Sequence, residues 1–137
     1  MESGYFCYNY YFYCGNLCNI LGDNTVITII GGQEWEQDMC RRVIDWCMDY
    51  FYIDCKICLT LGPYRDCYGW CKEGKKEHTY DVFVAFNQDL RDYIATLVHE
   101  LVHVKQWETG VWKGNGEKEA EKLQYKLTDK LWKNGTI

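Results

Sequence analysis

"TLVHELVHVKQWETG" (residues 96–110) holds two of the chain's three histidines, four positions apart, with a glutamate directly after the first. Residues four apart on a helix sit one above the other, so His99 and His103 share a face and both imidazoles can reach a single ion. Glu100 lies about 100° further round, where it need not bind the ion and can instead reach a water beside it. The pattern is H-E-x-x-H, and it has mechanical meaning only if the segment is helical. Its surroundings support that. Leu90, Ile94, Leu97, Leu101 and Val104 make one stripe, while Asp92, Thr96, His99, His103 and Gln106 make a second on the opposite side. Asn87 or Asp89 can cap the start of a helix over 88–109, and Gly110 can close its end in the left-handed conformation.

Two further helices flank this one in sequence. "GQEWEQDMCRRVIDWCMDYFYI" has Trp35, Met39, Val43, Trp46 or Cys47 and Tyr50 at three- and four-residue spacing, which predicts an amphipathic helix over 34–51. Ala120, Leu123, Leu127 and Leu131 do the same for 116–133, with lysines toward the end that favours positive charge. The remaining signals are strands. "NTVITIIGG" (24–32) is a β-branched run closed by a glycine pair, "IDCKICLTLG" (53–62) alternates, and "TYDVFVAFN" (79–87) reads as another strand. "YRDCYGWCKEGKKE" (64–77) reads as a hairpin connection with partial strand character, and the aromatic, cysteine-rich residues 5–18 as strand or irregular structure. The sum is a single α+β domain over 34–137, with 1–33 as an extension that is part of the same domain or adds an edge strand.

Composition narrows the function. The chain has 137 residues and a formal charge of −5, long enough for a real core and without the basic footprint that nucleic acid requires. It has no apolar run of membrane-spanning length, and its start lacks the basic region and aliphatic core of a signal peptide. The expectation is a cytoplasmic monomer whose partner is a peptide or protein, with neither nucleic acid nor membrane involved. Nine cysteines, an odd number, all fall between positions 7 and 71. They read as mostly reduced thiols acting as small apolar residues. Cys55-x2-Cys58 with Cys67-x3-Cys71 also has the spacing of a four-thiolate zinc site. If 53–61 is a strand, however, Cys55 and Cys58 point to opposite faces.

Two histidines and a base leave a catalytic zinc one protein ligand short. Peptidases with the longer motif H-E-x-x-H-x-x-G-x-x-H are excluded, since Gln106 and Thr109 stand at its last two fixed positions. What remains is a downstream acid, His78 or a cysteine, and the acid is favoured because Glu117, Glu119 and Glu121 fall on the next helix. "LVHELVHVKQ" followed by "EKEAE" resembles the small zincin-type (gluzincin-like) metallopeptidases, especially short versions from phage and other viral genomes, and more distantly the ImmA/IrrE-type peptidases. The similarity spans roughly 35–125. It implies that the third ligand is Glu117, the first glutamate of an E-x-x-A pattern, so that His99, His103 and Glu117 bind Zn2+ and Glu100 activates a water for peptide-bond hydrolysis.

The resemblance further implies a minimal zincin-like fold: a small, twisted, mostly antiparallel sheet packed with an N-terminal helix, the H-E-x-x-H helix and a C-terminal helix. An edge strand would hold substrate in extended form, a role expected for "TYDVFVAFN". Trp107 and Trp112 are candidates for walling the pocket or for core packing, and His78 and Tyr125 for stabilising an oxyanion. The alternative is a catalytically inactive zincin-fold binding module acting through the aromatic and cysteine-rich N-terminal half.

Overall fold

A computed structural model describes residues 26–137. The expectations for residues 5–18, and for most of the 1–33 extension, lie outside the described residues. The elements are β1 (Ile27–Ile30), α1 (Glu34–Phe51), β2 (Lys56–Gly62), β3 (Gly69–Glu73), β4 (Thr79–Ala85), α2 (Leu90–Thr109) and α3 (Glu117–Lys133). The protein is α+β.

Local chemistry sets the helix ends. Glu36 accepts from the Gln33 backbone N–H at 2.8 Å at the start of α1, Asp89 accepts from the Asp92 N–H at 3.0 Å at the start of α2, and Gly110 closes α2 at φ 69°. The buried face of α1 is Met39, Cys40, Val43, Ile44, Cys47 and Met48, so the helix is rotated from the expected stripe. Trp35 and Tyr50 are exposed instead, and Trp46 stacks on Tyr50 with ring centroids 4.8 Å apart. Two large rings covering each other on the surface satisfy the periodicity without entering the core.

The sheet order is β1-β2-β4-β3. It departs from the expected mostly antiparallel arrangement: β1 with β2 and β2 with β4 are parallel, and β3 with β4 alone is antiparallel. The physical reason is connectivity. α1 lies between β1 and β2, and a helical crossover returns the chain in the same direction. β3 and β4 are joined by the short turn 74–78, which forces them antiparallel. β4 is therefore central and not the expected edge strand, and its residues Tyr80 to Ala85 are all buried. Among the described residues the end positions belong to β1 and β3, and Lys72 and Glu73 of β3 are charged residues typical of an edge.

α1 and α2 cover one face of the sheet, where Val43, Ile44, Leu59, Val82, Val84, Ile94, Leu97 and Leu101 form the core. α3 packs on α2, burying Ala120, Leu127 and Leu131 completely. Each buried leucine contributes about 1.5–3 kcal/mol relative to exposure. Arg91 forks onto Asp129 with both nitrogens at 3.1 Å, clipping the two helices at their far ends.

The cysteines divide. Cys40, Cys47, Cys55 and Cys71 are buried thiols outside any disulfide, as expected of thiols used as apolar filling. Burial pushes the Cys40 and Cys55 thiols up to about 12 and raises Cys47 as well, which makes them poor nucleophiles. Cys58 and Cys67 correct the expectation, because each is engaged in a disulfide. The four-cysteine metal site is not assembled: Cys55 and Cys71 are in the core under the helices, whereas Cys58 alternates to the other face of the sheet. Among the described residues no helix is long and apolar enough to cross a membrane.

Candidate metal centre

α2 turns His99 and His103 away from the sheet and toward α3, and the connection 110–116 folds back so that α3 begins with Glu117 facing them. Gly110, Gly114 and Gly116 of that connection all have positive φ. Glu117 Oε2 is 3.0 Å from His99 Nε2 and Oε1 is 3.1 Å from His103 Nε2. The three ligand atoms lie within 4.8 Å of one another, and among the described residues no other group of histidine, cysteine or acid converges in this way.

The far side of each imidazole is held. His99 Nδ1 is 2.6 Å from Gln124 Oε1, and His103 Nδ1 is 2.9 Å from Gln106 Oε1. That leaves both Nε2 atoms for the carboxylate. His103 is 1 % exposed, and its Nε2, 3.1 Å from Glu117 Oε1, makes no hydrogen bond of good geometry. A buried nitrogen left so costs about 1–3 kcal/mol. Burial, above all, also holds His103 below the ordinary histidine value, against the pull of Gln106 and Glu117. A bare ring nitrogen facing a carboxylate is acceptor against acceptor unless a cation lies between them. A tetrahedral ion with bonds of about 2.0–2.2 Å would keep its ligand atoms roughly 3.3–3.6 Å apart, inside the 4.8 Å within which one atom from each residue falls. Two imidazoles and one carboxylate are the ligand set of catalytic zinc with one position open, and these residues fit it.

Glu100, the next residue after His99, is 3 % exposed. It lies against the start of β3: a Cβ on Gly69 would stand 3.3 Å from Glu100 Oε2 and 2.6 Å from Thr96 Cγ2. Glycine at 69 therefore lets the edge strand come down onto α2 beside the acid. His99, Glu100, Gln124 and Tyr125 share an open cleft of about 670 Å³ with Tyr64 and Tyr68.

Other candidates go elsewhere. His78 is at the opposite end of α2, with Nδ1 2.8 Å from Glu108 Oε1, an oxygen that also accepts from the Tyr80 hydroxyl at 2.6 Å. It can be neither ligand nor oxyanion donor in this cleft. Glu119 accepts from Lys105 Nζ at 2.7 Å and Gln106 Nε2 at 3.0 Å. Burial works to raise its carboxyl, but those two donors prevail and hold it below the ordinary value. Glu121 is exposed. Tyr125 does reach the cleft, but its hydroxyl donates to Asp92 Oδ1 at 2.6 Å. Trp107 stacks on Tyr80 with centroids 5.7 Å apart, away from the cleft, and Trp112 is on the surface.

Motif reasoning does not single out two residues that touch the ligands. Gln106 is visible in the sequence only as part of a polar stripe, and Gln124 not at all. The available signal is periodicity: Gln124 is seven positions after Glu117, two turns along the same face. The chain matches no family model, no curated protein and no solved structure.

Proposed function

We propose that the protein is a small zinc-dependent metallopeptidase in which His99, His103 and Glu117 hold the metal and Glu100 is the general base. The observation that carries this is the convergence of the His99, His103 and Glu117 ligand atoms, with His99 and the buried Glu100 both lining one open cleft. Zinc bound there supplies an electrophile for a carbonyl oxygen and makes a water acidic at neutral pH. Glu100 takes the proton of the attacking water and returns it to the departing amine nitrogen, so one carboxylate serves as base and then as acid.

A peptide is the favoured substrate because of the sheet edge. β3 is an end strand of the sheet among the described residues and adjoins the cleft through Gly69, so an extended chain lying in the cleft would run alongside it. The role expected of β4 thus passes to β3.

The test is Glu100→Gln. It keeps size and removes the proton acceptor, so bound zinc measured by mass spectrometry stays at the wild-type ratio. Cleavage of a fluorogenic peptide library falls by about 10²–10⁴. Undiminished cleavage by this variant overturns the mechanism.

A further inference from the structure

Gln106 spends its carboxamide in three directions. Its Nε2 donates to the Gly116 carbonyl at 2.9 Å and to Glu119 Oε1 at 3.0 Å, and its Oε1 faces His103 Nδ1 at 2.9 Å. A carbonyl oxygen cannot donate. The Glu119 carboxylate is an acceptor too, taking one hydrogen from Lys105 on its other oxygen. The amide therefore cannot be turned over without setting oxygen against oxygen twice, and Oε1 is fixed toward the imidazole. An amide oxygen only accepts, so the hydrogen of the neutral ring must be on Nδ1.

We propose that Gln106 is a positioning residue that locks His103 in the Nδ1–H form, leaving Nε2, 3.1 Å from Glu117 Oε1, as the bare nitrogen of the ring, with Lys105 and Glu119 as the brace that holds Gln106 in place. The proposal rests on the metallopeptidase reading for its purpose, although the lock itself is a property of the metal-free chain. Gly116 belongs to the same device. Its φ is +80°, and a Cβ there would lie 2.1 Å from Gln106 Oε1, so only glycine lets α3 begin where its carbonyl can accept from the amide. The register that places Glu117 opposite the imidazoles is thus tied to the residue that orients one of them. Among the described residues Gln124 has no comparable brace, and it meets the His99 ring at the margin of an open cleft.

The experiment uses the full chain, metal-free at pH 8, with histidine nitrogens labelled. Long-range proton–nitrogen correlation spectra report which ring nitrogen carries hydrogen. In the wild type His103 shows a protonated Nδ1 and a bare Nε2. Gln106→Met, which keeps length and loses the acceptor, shifts population toward Nε2–H. Its zinc affinity, by competition with a chromogenic chelator, falls about ten- to a hundredfold, the usual cost of removing a partner behind a ligand. Glu119→Ala touches no ligand and moves both readouts in the same direction by a smaller factor; it carries the test if Gln106→Met does not fold. A wild-type His103 with hydrogen on Nε2, or a folded Gln106→Met with the wild-type tautomer and affinity, overturns the proposal. A wild type that binds no zinc overturns the metallopeptidase reading instead, and the tautomer spectrum still decides this one.

Discussion

Adding zinc to the metal-free protein should raise its melting temperature, by an amount set by the three ligands. The folded chain presents them preassembled, within 4.8 Å of one another, and the unfolded chain does not. Binding to the folded state alone stabilises by RT ln(1 + [L]/Kd), about 2.7 kcal/mol at free zinc one hundred times Kd. At roughly 4 °C per kcal/mol for a domain of this size, the shift is about 10 °C. Thiols released on unfolding, including Cys40, Cys47, Cys55 and Cys71, also bind zinc and reduce it, so this figure is the upper end. His103→Ala or Glu117→Ala removes one ligand of three. With affinity lowered on the order of a hundredfold, the same free zinc is worth only about 0.4 kcal/mol, under 2 °C. Glu100→Gln removes none and keeps the full shift. The assay is scanning calorimetry in chelator-buffered zinc. An equal rise in His103→Ala refutes the ligand assignment, and no rise in the wild type refutes the metal site.

Three other outcomes follow from the geometry. Burial, partly offset by Lys72, pushes the Asp81 carboxyl up to about 6 from 3.8. The folded state thus binds this proton more tightly, stability falls as pH rises from about 4 to 6, and Asp81→Asn should gain on the order of 3 kcal/mol relative to wild type between pH 4 and pH 7 in urea melts. A gain that does not change with pH would show that Asp81 is not the titrating group. Gly69→Ala should cost about 1–3 kcal/mol through the 2.6 Å approach to Thr96 Cγ2, and adding Thr96→Ser should recover most of it; a single variant as stable as wild type contradicts the close contact. His78 should titrate above the ordinary histidine value because of its hydrogen bond to Glu108. Its hold on the β3–β4 turn is full below the ordinary value and is lost as pH rises through the raised one; in an NMR titration Glu108→Gln should bring His78 down toward the ordinary value, with Glu77 and Asp54 still acting to raise it, and a normal value in the wild type would remove the interaction.

The helices are legible in the sequence because their signals are local. Asp89 and Gly110 bound α2 by backbone chemistry that a few residues determine, and the three- and four-residue spacing of Ile94, Leu97, Leu101 and Val104 survives any tertiary arrangement. Strand order is a long-range property, and the local pattern misplaces it. One cue is present: "YDVFVA" is an almost unbroken apolar run, the mark of a strand covered on both faces, while "GWCKE" carries its charges outward as an edge strand does. His99, Glu100 and His103 are visible in sequence because four-residue spacing on one helix places them together. Glu117 comes from resemblance and not from spacing, since three glutamates on α3 satisfy the same pattern; what separates them is that Lys105 and Gln106 draw Glu119 away. The disulfides of Cys58 and Cys67 have no signal at all, because pairing is a long-range property that spacing along the chain does not determine.

The connection 110–116 carries a consequence of its own. It closes a loop between two helices that are already clamped by Leu127, Leu131 and the Arg91–Asp129 fork, so it delivers Glu117 without having to hold it there. Loop-closure entropy grows only as the logarithm of length, about 0.6 kcal/mol per doubling. Lengthening the exposed segment 111–113 twofold would thus cost the site roughly a factor of three in affinity at most. Shifting α3 by one residue would rotate Glu117 some 100° from the imidazoles and abolish the site. The centre is accordingly tolerant of chain length and intolerant of helix phase, and variation in this protein's relatives should be sought in the loop and not beyond Gly116.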